Sequence, residues 1–445
     1  MKGTLSFSLK SVKCSGMYTY VEIKTIGGFN LDNRKHNAEC ARNKRNSVKT
    51  RLHIQNVLCM CPADASFRML VLLLVSIGLI TLLSASYPTA FSKTGDAYYY
   101  AKRQLRYAFL GILLMEGISR LNYQILRHWA KPLLIIAILL LIAVLVPWIG
   151  VVRNNSRRWI ELFGIITFQP SEVAKFAVVL DFSASISTKK EKMQNFSTGV
   201  FPYLRTLAII GLLMIKEPHL SGLILILSVG AALMFVGGIK NRWVVLCILG
   251  GVTGALLLLT GKISYGQSRI AMWKDPFIDV RGDGYQLSQS LIAIGSGGLW
   301  GLGFGRSRQK YLYLPEVQND FIFSIVCEEM GLIGATLVLS VFAALILKGF
   351  LIACNAPDRF GALLCVGFIT LFAVQTFLNV AVVTGLLPTT GISLPLFSYG
   401  GTALVMQLLE LGIVLSVSRQ VQHDRSGKTR SSIVQQPDLR RDKHE

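Results

Sequence analysis

The sequence predicts an all-α integral membrane protein with about ten transmembrane helices and a large extracytoplasmic loop between helices 7 and 8. Of the 445 residues, 52% are hydrophobic and only 16% are charged, and the mean hydropathy is +0.50. Soluble domains carry about a quarter charged residues. The apolar residues are also clustered into runs of membrane-spanning length, which argues against a soluble globular protein.

The predicted spans follow one another along the chain as separate apolar runs. They cover residues 69–85, 107–121, 132–151, 169–186, 201–215, 220–237, 243–259, 321–352, 360–384 and 394–417. The second and fifth runs are short for a span, and the eighth is long enough to cross a membrane at a tilt.

Polar segments flank this membrane domain, which is predicted to cover residues 67–419. Residues 1–66 form a basic extension without apolar periodicity, which predicts disorder, and residues 420–445 form a polar tail. The formal charge of +22 could suggest a nucleic-acid partner. Because the basic residues lie mainly in loops and termini, we instead predict a membrane protein with both termini cytoplasmic and no nucleic-acid partner.

Eight cysteines give no framework for disulfides or metal binding. Four of them fall in or beside apolar runs, where a small buried thiol is ordinary. Cys59 and Cys61 form a C-x-C pair without a second pair nearby, so a zinc site is not predicted.

Irregular backbone is predicted at two places. Residues 261–315 form the longest interruption between spans and include the glycine-rich SLIAIGSGGLWGLGFG, which suits a partly re-entrant segment. Residues 386–401 read LLPTTGISLPLFSYGG, and their prolines and glycines would free backbone groups to line a cavity.

Charged residues beside the apolar runs are candidates for a ligand site. Glu172 and Lys175 are spaced i and i+3, so they share a helix face, as a self-satisfying ion pair or as part of a polar cavity. In SRRWI, Arg157 and Arg158 could bind phosphate, while Trp159 is typical of an interfacial anchor. The GRSRQK cluster ends at Lys310 and is predicted on the same side of the membrane, where excess positive charge favours an anionic ligand.

Asp320 lies where the long polar stretch ends and an apolar run begins, in LPEVQNDFIF. A carboxylate at such a boundary is costly to desolvate and is a functional candidate. It could cap the following helix, or act as a general base toward a substrate hydroxyl, and the two roles are compatible.

Taken together, these segments resemble the SEDS family of FtsW, RodA and SpoVE proteins. The similarity rests on QPSEVAK, GYQLSQSLIAIGSGGLWGLGFGRSRQKYLYLPEVQNDFIF, CEEMG and TGLLPTTGISLPLFSYGG, in order, and runs from about residue 69 to 419. VVRNNSRRWI and YLPEVQNDFIF are closer to the FtsW/SpoVE branch than to RodA.

The resemblance implies a peptidoglycan glycosyltransferase of the bacterial cytoplasmic membrane that polymerises lipid II at the division septum. It implies a class B penicillin-binding protein and other divisome membrane proteins as partners. The family's essential Asp corresponds to Asp320. The family's PSE-x-x-K motif corresponds to Glu172 and Lys175, and its Arg-Arg-Trp motif to Arg157, Arg158 and Trp159. These five residues, with Lys310 and Ser398, are expected to bind substrate.

Departures from the family pattern and rival functions are part of the prediction. Asn319 replaces the usual Thr, His219 replaces the Asp of PDLGT, and Asp181 and Glu410 stand where uncharged residues are expected. No cofactor is required, although a divalent cation (Mg²⁺ or Mn²⁺) is an alternative source of positive charge. A lipid II flippase, a non-catalytic scaffold, and an elongation or sporulation paralogue with the same chemistry are the alternatives.

Overall fold

The computed structural model describes residues 62–153, 156–162, 166–217, 219–240, 242–243, 273–279, 282 and 284–434, with side chains beyond residue 421 left out. The predicted seventh span and nearly all of the predicted N-terminal extension lie outside these residues. The described fold is mainly helical, as predicted.

Apolar runs of the sequence form the helices. They are α1 (Ala65–Thr94), α2 (Tyr99–Ser119), α3 (Leu126–Leu145), α4 (Pro170–Lys189), α5 (Phe201–Lys216), α6 (Leu220–Val236), α7 (Tyr285–Gly297), α8 (Ile322–Cys354), α9 (Arg359–Val383) and α10 (Gly401–Val434). Short 3-10 segments at Tyr123–Ile125 and Lys190–Gln194 precede α3 and follow α4, and a π turn at Phe196–Val200 leads into α5.

Six helices of the described residues are long and apolar enough to cross a membrane. They are Ala65–Thr94, Tyr123–Leu145, Phe196–Lys216, Ile322–Cys354, Arg359–Val383 and Gly401–Val421. The apolar α6 is shorter, and α2 and α4 carry more charge. The membrane class is therefore confirmed, while the count of ten spans stays a prediction.

A three-stranded antiparallel sheet was not predicted. Its strands β1 (Gly150–Arg153), β2 (Ser156–Leu162) and β3 (Ile166–Phe168) pair in sequence order. The predicted run 132–151 was too long at its end, because α3 stops at Leu145 and the chain turns into β1. The sheet leads directly into α4.

The predicted irregular segment before α10 is confirmed. The run 394–417 was predicted to be helical from its start, but α10 begins only at Gly401. Pro395 cannot donate a helical hydrogen bond and Leu396 has φ 64°, so the chain cannot coil there. The Gln407 side chain instead accepts from Leu396 N at 3.0 Å.

The glycine-rich segment after α7 packs against a break in α8. Gly331 has φ 66° and ψ −169°, so the helical ladder is interrupted there. Residues 298–303 replace the lost bonds: Leu302 N and Gly303 N donate to the carbonyls of residues 328 and 329, at 2.9 and 3.0 Å. In the other direction, the amides of residues 332 and 333 donate to the carbonyls of residues 298 and 299, at 2.9 and 3.2 Å. A Cβ at Gly331 would collide with the backbone of Gly301, so this close approach requires glycine.

Candidate functional site

A polar cavity of about 820 Å³ lies among the helices. Its walls come from α2, the sheet, the first turns of α4 and α6, residues 316–320 and residues 391–404. Cavities of this volume hold drug-sized ligands or larger headgroups. Polar and charged side chains dominate the wall, which suits a hydrophilic ligand at the edge of an apolar helix bundle.

Asp320 lines this cavity and is half-buried. Helix α8 has Phe321 at its N-cap position, so Asp320 lies one residue before the cap rather than at it. Asn379 of α9 donates from Nδ2 to the Asp320 carbonyl at 2.8 Å and to the Ile392 carbonyl at 2.6 Å. One amide thus joins the segment that carries Asp320 to the irregular segment 386–401, and both segments line the cavity.

Glu316 organises the turn that leads to Asp320. Its carboxylate accepts from Asn319 Nδ2 at 2.6 Å and from Gln318 Nε2 at 3.2 Å. Lys93 at the end of α1 pairs with the same carboxylate at 3.8 Å. Asn319, which replaces the usual Thr of the family, is therefore accommodated within the turn, because its side-chain amide donates to Glu316.

Glu172 and Lys175 also line the cavity, in the first turns of α4. Their side chains pair at 2.8 Å, and Lys175 is 4% exposed. Glu410 of α10 is buried and is attracted electrostatically by Lys175. The sequence left open whether this pair is a self-satisfying ion pair or part of a polar cavity. In the structure the two side chains form a salt bridge and also line the cavity.

Arg158 and Trp159 reach the cavity from β2. Arg158 Nε donates to the Glu217 carbonyl at 3.4 Å, at the end of α5. Burial raises the pKa of the Glu217 carboxyl to about 8, and Arg158 opposes the shift only in part. The sheet thus carries the Arg158 guanidinium to the cavity wall, beside the Glu217 backbone.

His219 lies at the N-cap of α6 and within electrostatic range of Arg158 and Lys175. Its Nε2 is 2.8 Å from Gln169 Nε2, so the amide donates and the imidazole accepts. Burial, with a smaller contribution from the two cations, lowers the pKa of His219 to about 3. The residue flagged only as a departure from a family motif is therefore a neutral acceptor on the cavity wall.

Ser398 lines the cavity as well, but its hydroxyl is hydrogen-bonded to the backbone. It accepts from Leu394 N at 2.8 Å. Gln104 of α2 donates to the Ser398 carbonyl at 3.1 Å and accepts from Gly400 N at 3.3 Å. The residue therefore fixes the shape of the 391–400 wall.

Two of the predicted substrate-binding residues do not line the cavity. Arg157 is the neighbour of Arg158 on β2 but is absent from the wall. Lys310 is buried, with its ammonium 2.9 Å from Glu329, 3.0 Å from Ser84 and 2.7 Å from the Gly305 carbonyl. The structure corrects the prediction for Lys310, because these internal partners occupy the ammonium.

The neighbouring Glu328 holds the same segment by its backbone. It accepts from Arg308 N at 2.8 Å, from Gln309 N at 3.3 Å and from the Ser307 hydroxyl. The two glutamates of CEEMG therefore attach residues 305–310 to α8 with side chains that never reach solvent.

Sequence reasoning missed an aromatic part of the wall. Tyr99, Tyr100, Arg103, Tyr107 and Tyr399 all line the cavity. The YYY run at the start of α2 carries no motif, and Tyr399 is distant in sequence, so nothing in the chain alone joins them. Within the described residues, no three His, Cys, Asp or Glu side chains are grouped to hold a metal ion, so the divalent cation stays a prediction.

Comparison with known proteins identifies the family. Residues 64–423 match the family model described as cell cycle protein, FtsW/RodA/SpoVE. The chain is 41% identical to stage V sporulation protein E of Bacillus subtilis over 356 residues, 80% of this chain and 97% of the relative. It is 37% identical to a probable peptidoglycan glycosyltransferase FtsW of Geobacter sulfurreducens, over 80% of this chain and 95% of the relative.

A solved structure agrees with the sequence relatives. It is a structure of a peptidoglycan synthase complex and concerns the structural coordination of polymerization and crosslinking by that complex. The matched chain superposes with a TM-score of 0.67 at 28% identity, over 81% of this chain and 98% of that one. Sequence match, helical fold and membrane-spanning helices agree: the chain is a multi-pass membrane protein of the FtsW/RodA/SpoVE family.

Proposed function

We propose that the chain is a peptidoglycan glycosyltransferase that polymerises lipid II into glycan strands. The observation that carries the proposal is the common cavity: Asp320, the Glu172–Lys175 pair and Arg158 all line it. A carboxylate and two cations facing one polar volume suit a reaction in which an alcohol loses a proton and an anionic group departs.

The reaction is an inverting glycosyl transfer. Asp320 accepts the proton of a sugar 4-hydroxyl, and that oxygen attacks the anomeric carbon of a second, lipid-linked sugar. The bond from the anomeric carbon to the phosphate oxygen breaks, and polyprenyl pyrophosphate leaves with the electron pair. Because pyrophosphate departs without protonation, one carboxylate suffices as proton acceptor.

Arg158 and Lys175 stabilise the leaving group. Pyrophosphate gains negative charge as the bond breaks, and fixed cations in a partly enclosed site lower the energy of that transition state. Glu172 holds Lys175 in place at 2.8 Å. Neutral His219 adds no positive charge and keeps Gln169 in position as its donor.

The biological setting follows the family. We propose that the termini are cytoplasmic, that the cavity opens toward the outer face, and that the protein acts at the division septum. A class B penicillin-binding protein and other divisome membrane proteins are its proposed partners. The related sporulation protein, at 41% identity, keeps a sporulation or elongation role with the same chemistry as the alternative.

The test is polymerisation of purified lipid II in proteoliposomes that contain the proposed penicillin-binding partner. Asp320→Asn removes the proton acceptor with little change in shape, and we expect a loss of at least about a hundredfold in rate. Asp96→Asn is the matched control, since this aspartate lies in the α1–α2 loop and pairs with Lys102 at 2.9 Å. Full activity of Asp320→Asn would refute the general-base role.

Lipid II transport is the second candidate, because a buried Lys175 between two glutamates also suits a translocation path. A dithionite-quenching assay with fluorescent lipid II separates the two. Flipping that survives in Asp320→Asn while polymerisation is lost would establish transport as an additional activity; flipping without polymerisation in the wild type would replace the proposed function.

A further inference from the structure

Three tyrosines form one continuous aromatic surface on the cavity wall, here called the tyrosine platform: Tyr99, Tyr100 and Tyr399. The rings of Tyr100 and Tyr399 meet edge to face with centroids 4.8 Å apart, and those of Tyr99 and Tyr100 do so at 5.3 Å. All three are half-buried and line the cavity. Edge-to-face packing fixes the rings relative to each other and leaves ring surface turned toward the cavity.

The platform is joined to the segment that carries Asp320. Tyr399 N donates to the Gln318 carbonyl at 2.7 Å, two residues before Asp320. On the other side, Arg103 donates from its guanidinium to the Tyr99 hydroxyl at 2.9 Å and itself lines the cavity. A ligand held on the rings therefore lies in the same cavity as the proposed proton acceptor.

An unused hydrogen-bond acceptor lies at the same place. Gln318 lines the cavity, is 2% exposed, and donates from Nε2 to Glu316 at 3.2 Å. Its Oε1 is buried and has no hydrogen-bond partner. A buried amide oxygen without a donor is destabilising, and a turn of the side chain toward the cavity that it lines would let this oxygen accept from a ligand N–H or O–H.

We propose that the tyrosine platform and Gln318 bind N-acetylated sugar units of the glycan strand that extend beyond the bond being formed. Sugars present an apolar C–H face that packs on aromatic rings, while their hydroxyl and acetamido N–H groups donate at the edges. A polyprenyl tail has no N–H or O–H group that could donate to Gln318, and it would pack as well on aliphatic side chains as on tyrosines. The inference rests on the proposed function for its ligand, but its test does not require turnover.

Binding is measured with a lipid-free β-1,4-linked GlcNAc–MurNAc tetrasaccharide and the purified wild-type protein in nanodiscs, without lipid II. We expect Tyr100→Ala to bind about fivefold or more weakly, and Tyr100→Phe to bind nearly as well as the wild type because the ring remains. Tyr98→Ala is the matched control: Tyr98 is 51% exposed, packs on Tyr87 and is absent from the cavity wall.

Gln318→Leu tests the polar half of the site independently of aromatic packing, because the backbone bond to Tyr399 N is retained. We expect the same loss of tetrasaccharide binding, while the variant still unfolds in a cooperative thermal transition; the lost bond from Nε2 to Glu316 lowers the melting temperature slightly. In polymerisation assays, Tyr100→Ala should give shorter strands, because a strand that is bound more weakly dissociates after fewer additions.

The proposal is overturned if the wild type does not bind the tetrasaccharide, or if Tyr100→Ala and Gln318→Leu bind it as tightly as the wild type. Binding lost in these variants supports the platform even if Asp320→Asn still polymerises, since that result bears only on the general-base role.

Discussion

Removing the Lys310 ammonium should destabilise the protein strongly. Lys310 is 3% exposed and lies against Glu329, which is also 3% exposed, with their charged atoms 2.9 Å apart. Lys310→Ala leaves this carboxylate buried without its cation, and loss of one partner of such a pair costs about 3–5 kcal/mol. The Gly305 carbonyl loses its donor too, so we expect the upper part of this range.

The assay is thermal or denaturant unfolding of the purified protein in detergent, followed by tryptophan fluorescence. Arg306→Ala is the matched control, because Arg306 is an exposed cation of the same segment and should change stability by no more than about 0.5 kcal/mol. In Lys310→Met/Glu329→Met both charges are gone, and most of the loss should be recovered.

A Lys310→Ala protein as stable as Arg306→Ala would show that the pair contributes no net stability. A double variant no more stable than Lys310→Ala would show that shape or hydrogen bonding, rather than an uncompensated charge, accounts for the loss.

Two further substitutions test the break in α8 and the buried carboxyl near Arg158. Gly331→Ala should lower the unfolding free energy by about 2 kcal/mol or more, since φ is 66° and the added Cβ meets the backbone of Gly301. Gly295→Ala, where nothing lies within 4 Å, should be neutral or slightly stabilising in the same melt. The raised pKa of Glu217, about 8 against an ordinary 4.5, means that the folded state holds the proton more tightly than the unfolded state. Its contribution is therefore complete below pH 4.5 and is lost as pH rises toward 8. Glu217→Gln should flatten this part of the stability profile, and an unchanged profile would contradict the assigned shift.

The helices could be predicted because apolar runs of spanning length have few alternatives in a membrane. The sheet at residues 150–168 could not, since its strands are short and the first continues an apolar run without a break in composition. The late start of α10 was partly readable from Pro395, but the positive φ of Leu396 was not.

For the site, the structure brings Asp320, Glu172, Lys175 and Arg158 to one cavity wall, and their roles stay predictions that rest on motif similarity as much as on physics. The sequence could not separate Lys310 from them. A lysine in a basic loop has the same composition signal whether its ammonium faces a ligand or a buried glutamate. One of the contacts that bury the ammonium, the hydrogen bond from Lys310 to Ser84, joins positions 226 residues apart and has no signal in the local sequence.

The direction of α8 is set from outside the helix. Four backbone hydrogen bonds between residues 298–303 and α8 bridge the break at Gly331, so the two halves of α8 are held there by the neighbouring glycine-rich turns rather than by the helix's own hydrogen bonds. Straightening the helix would break all four bonds, while residues 305–310 would stay attached to the first half of α8 through Glu328 and Glu329. The glycine-rich loop is thus hydrogen-bonded to the half of α8 that begins beside Asp320. A partner protein that binds this loop and moves it would therefore shift that half of the helix without entering the cavity.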